Sequence, residues 1–145
     1  MQWINANGLI IICIMMIPNI VYATEHKGEE NKCKNILMNI VEQIGRYGTF
    51  FLMIFNIGIF EKGAYNDIIF YIWLGVAYLL LVVYMFVWAE YFKCAPKQLP
   101  LSLAIVPCIL FILTGILLRH YLLIVFGTIF TIGHCYVTTQ NNKED

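Results

Sequence analysis

Apolar residues along this chain gather into five stretches, 3–23, 36–59, 68–89, 100–118 and 121–138, separated by short polar breaks. A membrane-spanning helix takes about 20 residues, so each stretch reads as one span. The third is uncharged throughout and is bracketed by Asp67 and Glu90. On it Tyr71, Gly75, Tyr78 and Met85 share a helical face, with Gly75 as the expected point of closest approach. Trp73, Trp88 and Tyr91 suit packing and anchoring, in interfacial belts rather than a ligand cage.

The second stretch is the exception, because it carries polar groups into apolar surroundings. Wound as a helix at about 100° per residue, Asn39, Glu42, Arg46, Thr49 and Asn56 fall within an arc of roughly 100°. Glu42 and Arg46 stand four apart with the acid first, the favourable order for a helical ion pair. Two placements remain open for it. An interfacial pair would anchor the helix, with Arg46 reaching the headgroups. A pair buried against the bundle would form part of a site, since each lone charge at mid-bilayer costs about 2.5–3.5 kcal/mol. Gly45 and Gly48 would let another helix approach beside this stripe.

The first stretch also has two readings. Val21-Tyr22-Ala23 before Thr24 resembles a signal-peptidase site, which would leave four spans instead of five. No basic residue precedes the apolar run, however, and Asn5, Asn7 and the Pro18-Asn19 pair suit a retained helix. Pro18 removes a backbone donor, and Asn19 can answer the freed carbonyl or reach a neighbouring helix. In the fourth stretch Pro100 fits an opening turn and Pro107 an internal kink. Ala104, Cys108 and Gly115 form a strip of small residues there. In the fifth, after the Arg119-His120 break, Gly127, Thr131, His134 and Thr138 share a face.

Composition confirms the class. The chain has 145 residues, 61% hydrophobic and 12% charged, with mean hydropathy +0.76. A soluble domain has about 45–50% apolar and about 25% charged residues, so the expected fold is all-α, a polytopic transmembrane helical bundle in one integral membrane domain. Little chain remains for a soluble catalytic or nucleotide-binding domain, and a net charge of zero leaves no footprint for nucleic acid. The expected surroundings are the lipid bilayer, with a partner membrane protein or further copies of the chain.

The five cysteines, Cys13, Cys33, Cys94, Cys108 and Cys135, show no zinc or thioredoxin spacing. His134-Cys135 has no second ligand pair, so neither a metal nor another cofactor is expected. There is no GxSxG, HExxH or paired aspartate, and hence no catalytic residue to nominate. Basic residues set the orientation. With the amino terminus outside, Lys27, Lys32, Lys34, Lys93, Lys97 and Lys143 lie inside against Lys62 and Arg119 outside. The carboxyl terminus is then cytoplasmic, and Cys33, Cys94 and Cys135 face a reducing compartment as free thiols.

The strings MMIPN at 15–19, ENKCKN at 30–35, EQIGRYGTF at 42–50 and FNIG at 55–58 resemble a group of small, uncharacterised multi-spanning membrane proteins of clostridial-type bacteria. That resemblance implies a bacterial plasma membrane and a helical bundle, and transfers no functional residue. The expected function is therefore a non-catalytic accessory, scaffold or sensor component acting through helix–helix contacts. The alternative is a small oligomeric transporter or channel with a polar path along the second span. The candidate residues, for function or packing, are Asn19, Asn39, Glu42, Arg46, Thr49 and Asn56.

Overall fold

The computed structural model describes residues 3–25, 33–57, 62–94 and 99–142, the side chain of Leu99 aside. Four of the basic topology markers, Lys27, Lys32, Lys97 and Lys143, lie outside the described residues, as do positions 58 and 59 of the second expected span. The elements are α1 (Ala6–Glu25), α2 (Ile36–Ile54), α3 (Asp67–Cys94), α4 (Leu99–Leu117) and α5 (Tyr121–Asn141). Four helix starts are marked by a side chain that accepts from the amide three residues on. Asn5 takes Gly8, Asn35 takes Met38, Asn66 takes Ile69 and His120 takes Leu123. Each such cap answers one of the otherwise orphaned first-turn N–H groups.

By length and composition, Ala6–Glu25, Asp67–Cys94, Pro100–Leu117 and Tyr121–Asn141 can each cross a membrane. α2 is not among them, because its polar stripe dilutes its apolar residues. Large apolar side chains, among them Leu79, Val82, Phe86, Ile116 and Ile132, stand exposed on the outside of the bundle. So wide an apolar exterior belongs against lipid. The protein is an all-α, multi-spanning membrane bundle.

α2 ends five residues short of the expected 59. Phe55 is extended and pairs with Ile4 in an isolated antiparallel bridge. Asn5 N donates to Ile54 O at 2.7 Å and Asn56 N to Trp3 O at 2.9 Å. This backbone pairing satisfies groups that further helix would otherwise have used. Asn56 consequently leaves the stripe: it stands past the helix end, tied to the amino-terminal segment.

Each helix packs on two neighbours, in the order α1–α2–α5–α4–α3 and back to α1. The α2–α5 seam is the most extensive, and glycines on both sides explain it. A Cβ on Gly45 would lie 2.5 Å from the backbone N and Cα of Phe130, and one on Gly133 2.6 Å from the N of Glu42. Gly48 lies under the Phe126 ring. The expectation for Gly75 fails, since a Cβ there meets nothing within 4 Å. The buried face of α3 is instead Trp73, Ala77, Leu81, Tyr84 and Trp88. Trp73 and Trp88 are therefore core residues rather than belt residues, and Trp73 Nε1 donates to Thr114 Oγ1 at 3.0 Å.

The loops at the amino-terminal end of the bundle are knitted together. Arg119, in the left-handed region at φ 49°, ends α4. Its Nε donates to Gly63 O at 2.9 Å and its Nη2 to Lys62 O at 3.3 Å, while its guanidinium lies 5.6 Å from the Tyr65 ring. Beside it His120 is buried, and that burial pushes the imidazole pKa below its ordinary 6.5.

Two outcomes follow. Gly45→Ala should cost about 1–3 kcal/mol in unfolding titrations, because backbone cannot yield to the added carbon, whereas Gly75→Ala should cost nothing. Equal effects would mean that the α2–α5 contact is not so close. Secondly, unfolded His120 takes a proton that the folded residue resists, so its contribution to stability is complete above pH 6.5 and declines below it. The thermal midpoint should drop between neutral pH and pH about 5, and His120→Asn, which keeps a capping side chain, should remove part of that drop. An unaltered pH profile would refute the assignment.

Candidate functional site

The close α2–α5 seam brings Glu42 against α5. Its carboxylate is buried, and one oxygen, Oε1, takes Arg46 Nη2 at 2.8 Å and His134 Nδ1 at 2.6 Å. Gly133 puts the two backbones in contact beside this meeting, and Phe130, one turn before His134, stacks on its imidazole at 4.7 Å and 15°. The ring is thus held in plane against Phe130 with one nitrogen directed at the carboxylate. Arg46 differs from Glu42 in exposure: 33% of its side chain remains accessible against 7% for the acid. Glu42 is thus buried against α5 while its partner Arg46 stays part-exposed.

That accessible surface faces a chamber of about 300 Å³, to which all five helices contribute. α1 supplies Met15, Met16, Asn19, Ile20 and Ala23, and α2 supplies Arg46 and Phe50. The remaining wall is Tyr84 from α3, Pro107 and Phe111 from α4, and Phe130 and His134 from α5. Toward the amino-terminal end the interior is filled, with Ile11, Met53, Trp73, Leu110 and Phe111 fully buried. The chamber therefore occupies the half of the bundle nearer the carboxyl terminus. Starting about 1.5 Å per residue from Ile36, Glu42 lies about 9 Å and Arg46 about 15 Å along α2.

Of the two things expected of Asn19, the structure shows one, the reach to a neighbouring helix. Its Nδ2 donates to Met15 O at 2.8 Å and to Tyr84 Oη at 2.8 Å, linking α1 to α3. The carbonyl that loses its partner to Pro18 is Ile14's, however, one residue before the one Asn19 reaches. Thr49 is wholly buried, and its hydroxyl turns back to Gly45 O and Arg46 O. Asn39 Nδ2 donates to Cys33 O at 3.0 Å. The structure thus brings Asn19 and Arg46 to one space, with Glu42 paired to Arg46 but outside its lining, and leaves Thr49, Asn39 and Asn56 in backbone roles. It adds His134 and Tyr84, which periodicity alone could not bring to α2. Among the described residues no three His, Cys, Asp or Glu side chains converge as a metal site.

Comparison with known proteins adds no guide to this geometry: no family model matches the chain, and neither a curated protein nor a solved structure matches it.

A carboxylate buried this deeply is stable only while partnered. His134→Ala should destabilise the protein by about 1–3 kcal/mol in detergent unfolding titrations, the range for a buried acceptor that loses a donor. A cycle combining it with Glu42→Gln should return a coupling of about 0.5–3 kcal/mol. Strictly additive effects would mean that the two side chains do not meet.

Proposed function

We propose that this protein is a non-catalytic sensor or accessory component of a bacterial plasma membrane, and that it works by binding a small molecule in the five-helix chamber. Its amino terminus is outside and its carboxyl terminus cytoplasmic, which places the chamber in the inner half of the bilayer. The observation that carries this reading is the chamber itself. It is lined by every helix, it is of ordinary ligand size (such sites run from about 300 Å³ upward), and it holds the accessible part of an otherwise buried ion pair. The polar stripe looks into the protein's own interior, so it is better suited to a ligand than to matching a partner helix.

α1 is the element such a ligand would move. Its seams with α2 and α3 are slimmer than those among the other helices. Main-chain bonds to Ile54 and Trp3–Asn56 pairing hold its amino-terminal end. Its other half, from Met15 to Ala23 around Pro18, forms one wall of the chamber. A ligand touching that wall and Phe130 together would shift α1 against a fixed α2–α5–α4 core. Such a shift is what a membrane partner would read.

A second reading, a small carrier, draws on the same space lying along α2. The space is open past the exposed Asn19, Ile20 and Ala23 of α1, so a second copy would be needed to wall off a path there. Passage would require the layer of Met53, Trp73, Leu110 and Phe111 to part.

Native mass spectrometry of the protein from its own membranes, with and without Ala23→Trp to plug the chamber, tests the proposal. A small molecule should accompany the wild type and be lost from the variant, and crosslinks from α1 to a co-purifying protein should change with it. Identical bound mass and identical crosslinks would defeat it. Solute flux in reconstituted vesicles that disappears in Arg46→Met would favour the carrier.

A further inference from the structure

The chamber offers few polar groups, and their state narrows what can enter. Both amide protons of Asn19 are already committed, to Met15 O and Tyr84 Oη. Arg46 commits an Nη2 proton to Glu42 and remains one-third accessible. A guanidinium carries five N–H donors in a planar fork, so most of its capacity is unspent, and that fork matches a carboxylate better than any neutral group. The rest of the wall, Met15, Met16, Ile20, Phe50, Phe111 and Phe130, is apolar. At about 30 Å³ for each water, the volume amounts to on the order of ten water-sized units.

Charge balance then constrains how an anion could be held. With an uncharged imidazole at His134, Glu42 and Arg46 cancel each other, so an entering anion would leave one uncompensated negative charge among apolar helices, which is strongly unfavourable. A proton taken up at the His134–Glu42 contact removes it. From α2 the groups around His134 are Glu42 and Arg46, and from α3, across the chamber, Tyr84; Cys108 of α4 lies instead against Cys135, the next residue along α5. No titratable side chain of α1 lines the chamber. Tyrosine and cysteine ordinarily hold their protons at neutral pH, so the imidazole and its carboxylate are the groups able to gain one. His134 Nδ1 lies 2.6 Å from Glu42 Oε1, so a proton entering at either group is shared with the other.

The geometry points to proton-linked binding of a monoanionic organic acid. Its carboxylate lies against Arg46, its apolar body of roughly ten heavy atoms lies among Phe50, Phe111 and Phe130, and one proton enters at His134–Glu42. This assignment rests on the chamber being a ligand site, and it names the ligand class and the coupling.

The test is calorimetric titration of the protein in phosphatidylcholine nanodiscs, with empty discs subtracted. The probes are naphthoate, naphthalenemethanol and naphthylmethylamine, which share a ring system and differ in charge. Buffers of different ionisation enthalpy read proton uptake. Naphthoate should bind best, with about one proton absorbed for each anion, as expected for paired charges in a low-dielectric site. Arg46→Gln should weaken it by about ten- to a hundredfold, and Arg46→Lys should lose less. Glu42→Gln should hold naphthoate at least as tightly and take up no proton, a change that a merely structural role for Glu42 would not produce.

Alcohol or amine binding as well as the acid overturns the anion assignment, and acid binding without proton uptake overturns the coupling. If the neutral or cationic probes bind and Ala23→Trp abolishes that binding, the chamber stands while this assignment falls. If no probe distinguishes the wild type from Ala23→Trp, both fall.

Discussion

The contact on which this structure depends is the meeting of two helix backbones, α2 with α5, at Gly45 and Gly133. Without side chains at those positions, Gly45 meets the main chain of Phe130 and Gly133 that of Glu42. Dispersion and packing between backbones replace the hydrophobic drive that lipid surroundings cannot provide. The same approach gives Glu42 a donor from across the seam, so the residue that makes α2 too polar to insert comfortably also finds its answer there. Packing and charge compensation are one event.

Around that seam the other helices divide the interior in two. Trp73, Leu110, Phe111 and Met53 fill the half that carries the amino-terminal segment. Beyond them, smaller or bent elements leave room: Pro107 in α4, Pro18 in α1, and Ala23 at the far end of α1. α1 closes the ring through slimmer seams, pressed at Gly8 against the Met53 carbonyl, pinned at that end by main-chain bonds and at the other by Asn19 and by Tyr22 against Trp88 and Tyr91. A rigid seam facing a lightly held wall allows one wall to respond while the charged groups stay in place.

Reading the chain from its pattern alone recovers what is local. Five helices follow from five apolar runs, and Glu42–Arg46 follows from i,i+4 spacing, because both need only neighbours in sequence. What fails is what distant residues decide. Phe55 and Asn56 continue an apolar run and read as helix, yet residues 3–5 capture their backbone in an extended pairing. Trp73 and Trp88 sit near the ends of a long span, where belt and core patterns look alike, and Thr114 and Tyr22 settle the matter for the core. Gly45 and Gly75 are equally small, and only the presence of a neighbouring helix distinguishes them. His134 was visible as a polar residue on α5, but the helix it would face was not. That required knowing that α5 lies beside α2 rather than beside α4 alone.

The Glu42–His134 contact spans 92 positions of chain, which gives it a meaning during synthesis. At a translation rate of about 5–20 residues per second, the imidazole leaves the ribosome roughly 5–18 seconds after the carboxylate. For that interval Glu42 has only Arg46 for company, on the one helix whose composition does not by itself favour the bilayer. α2 is thus placed to linger at the translocon or the membrane surface until the last helix arrives. Insertion of the second helix and completion of the bundle then become a single late step, and a chain truncated before α5 would be left with a charged helix that has nowhere to settle.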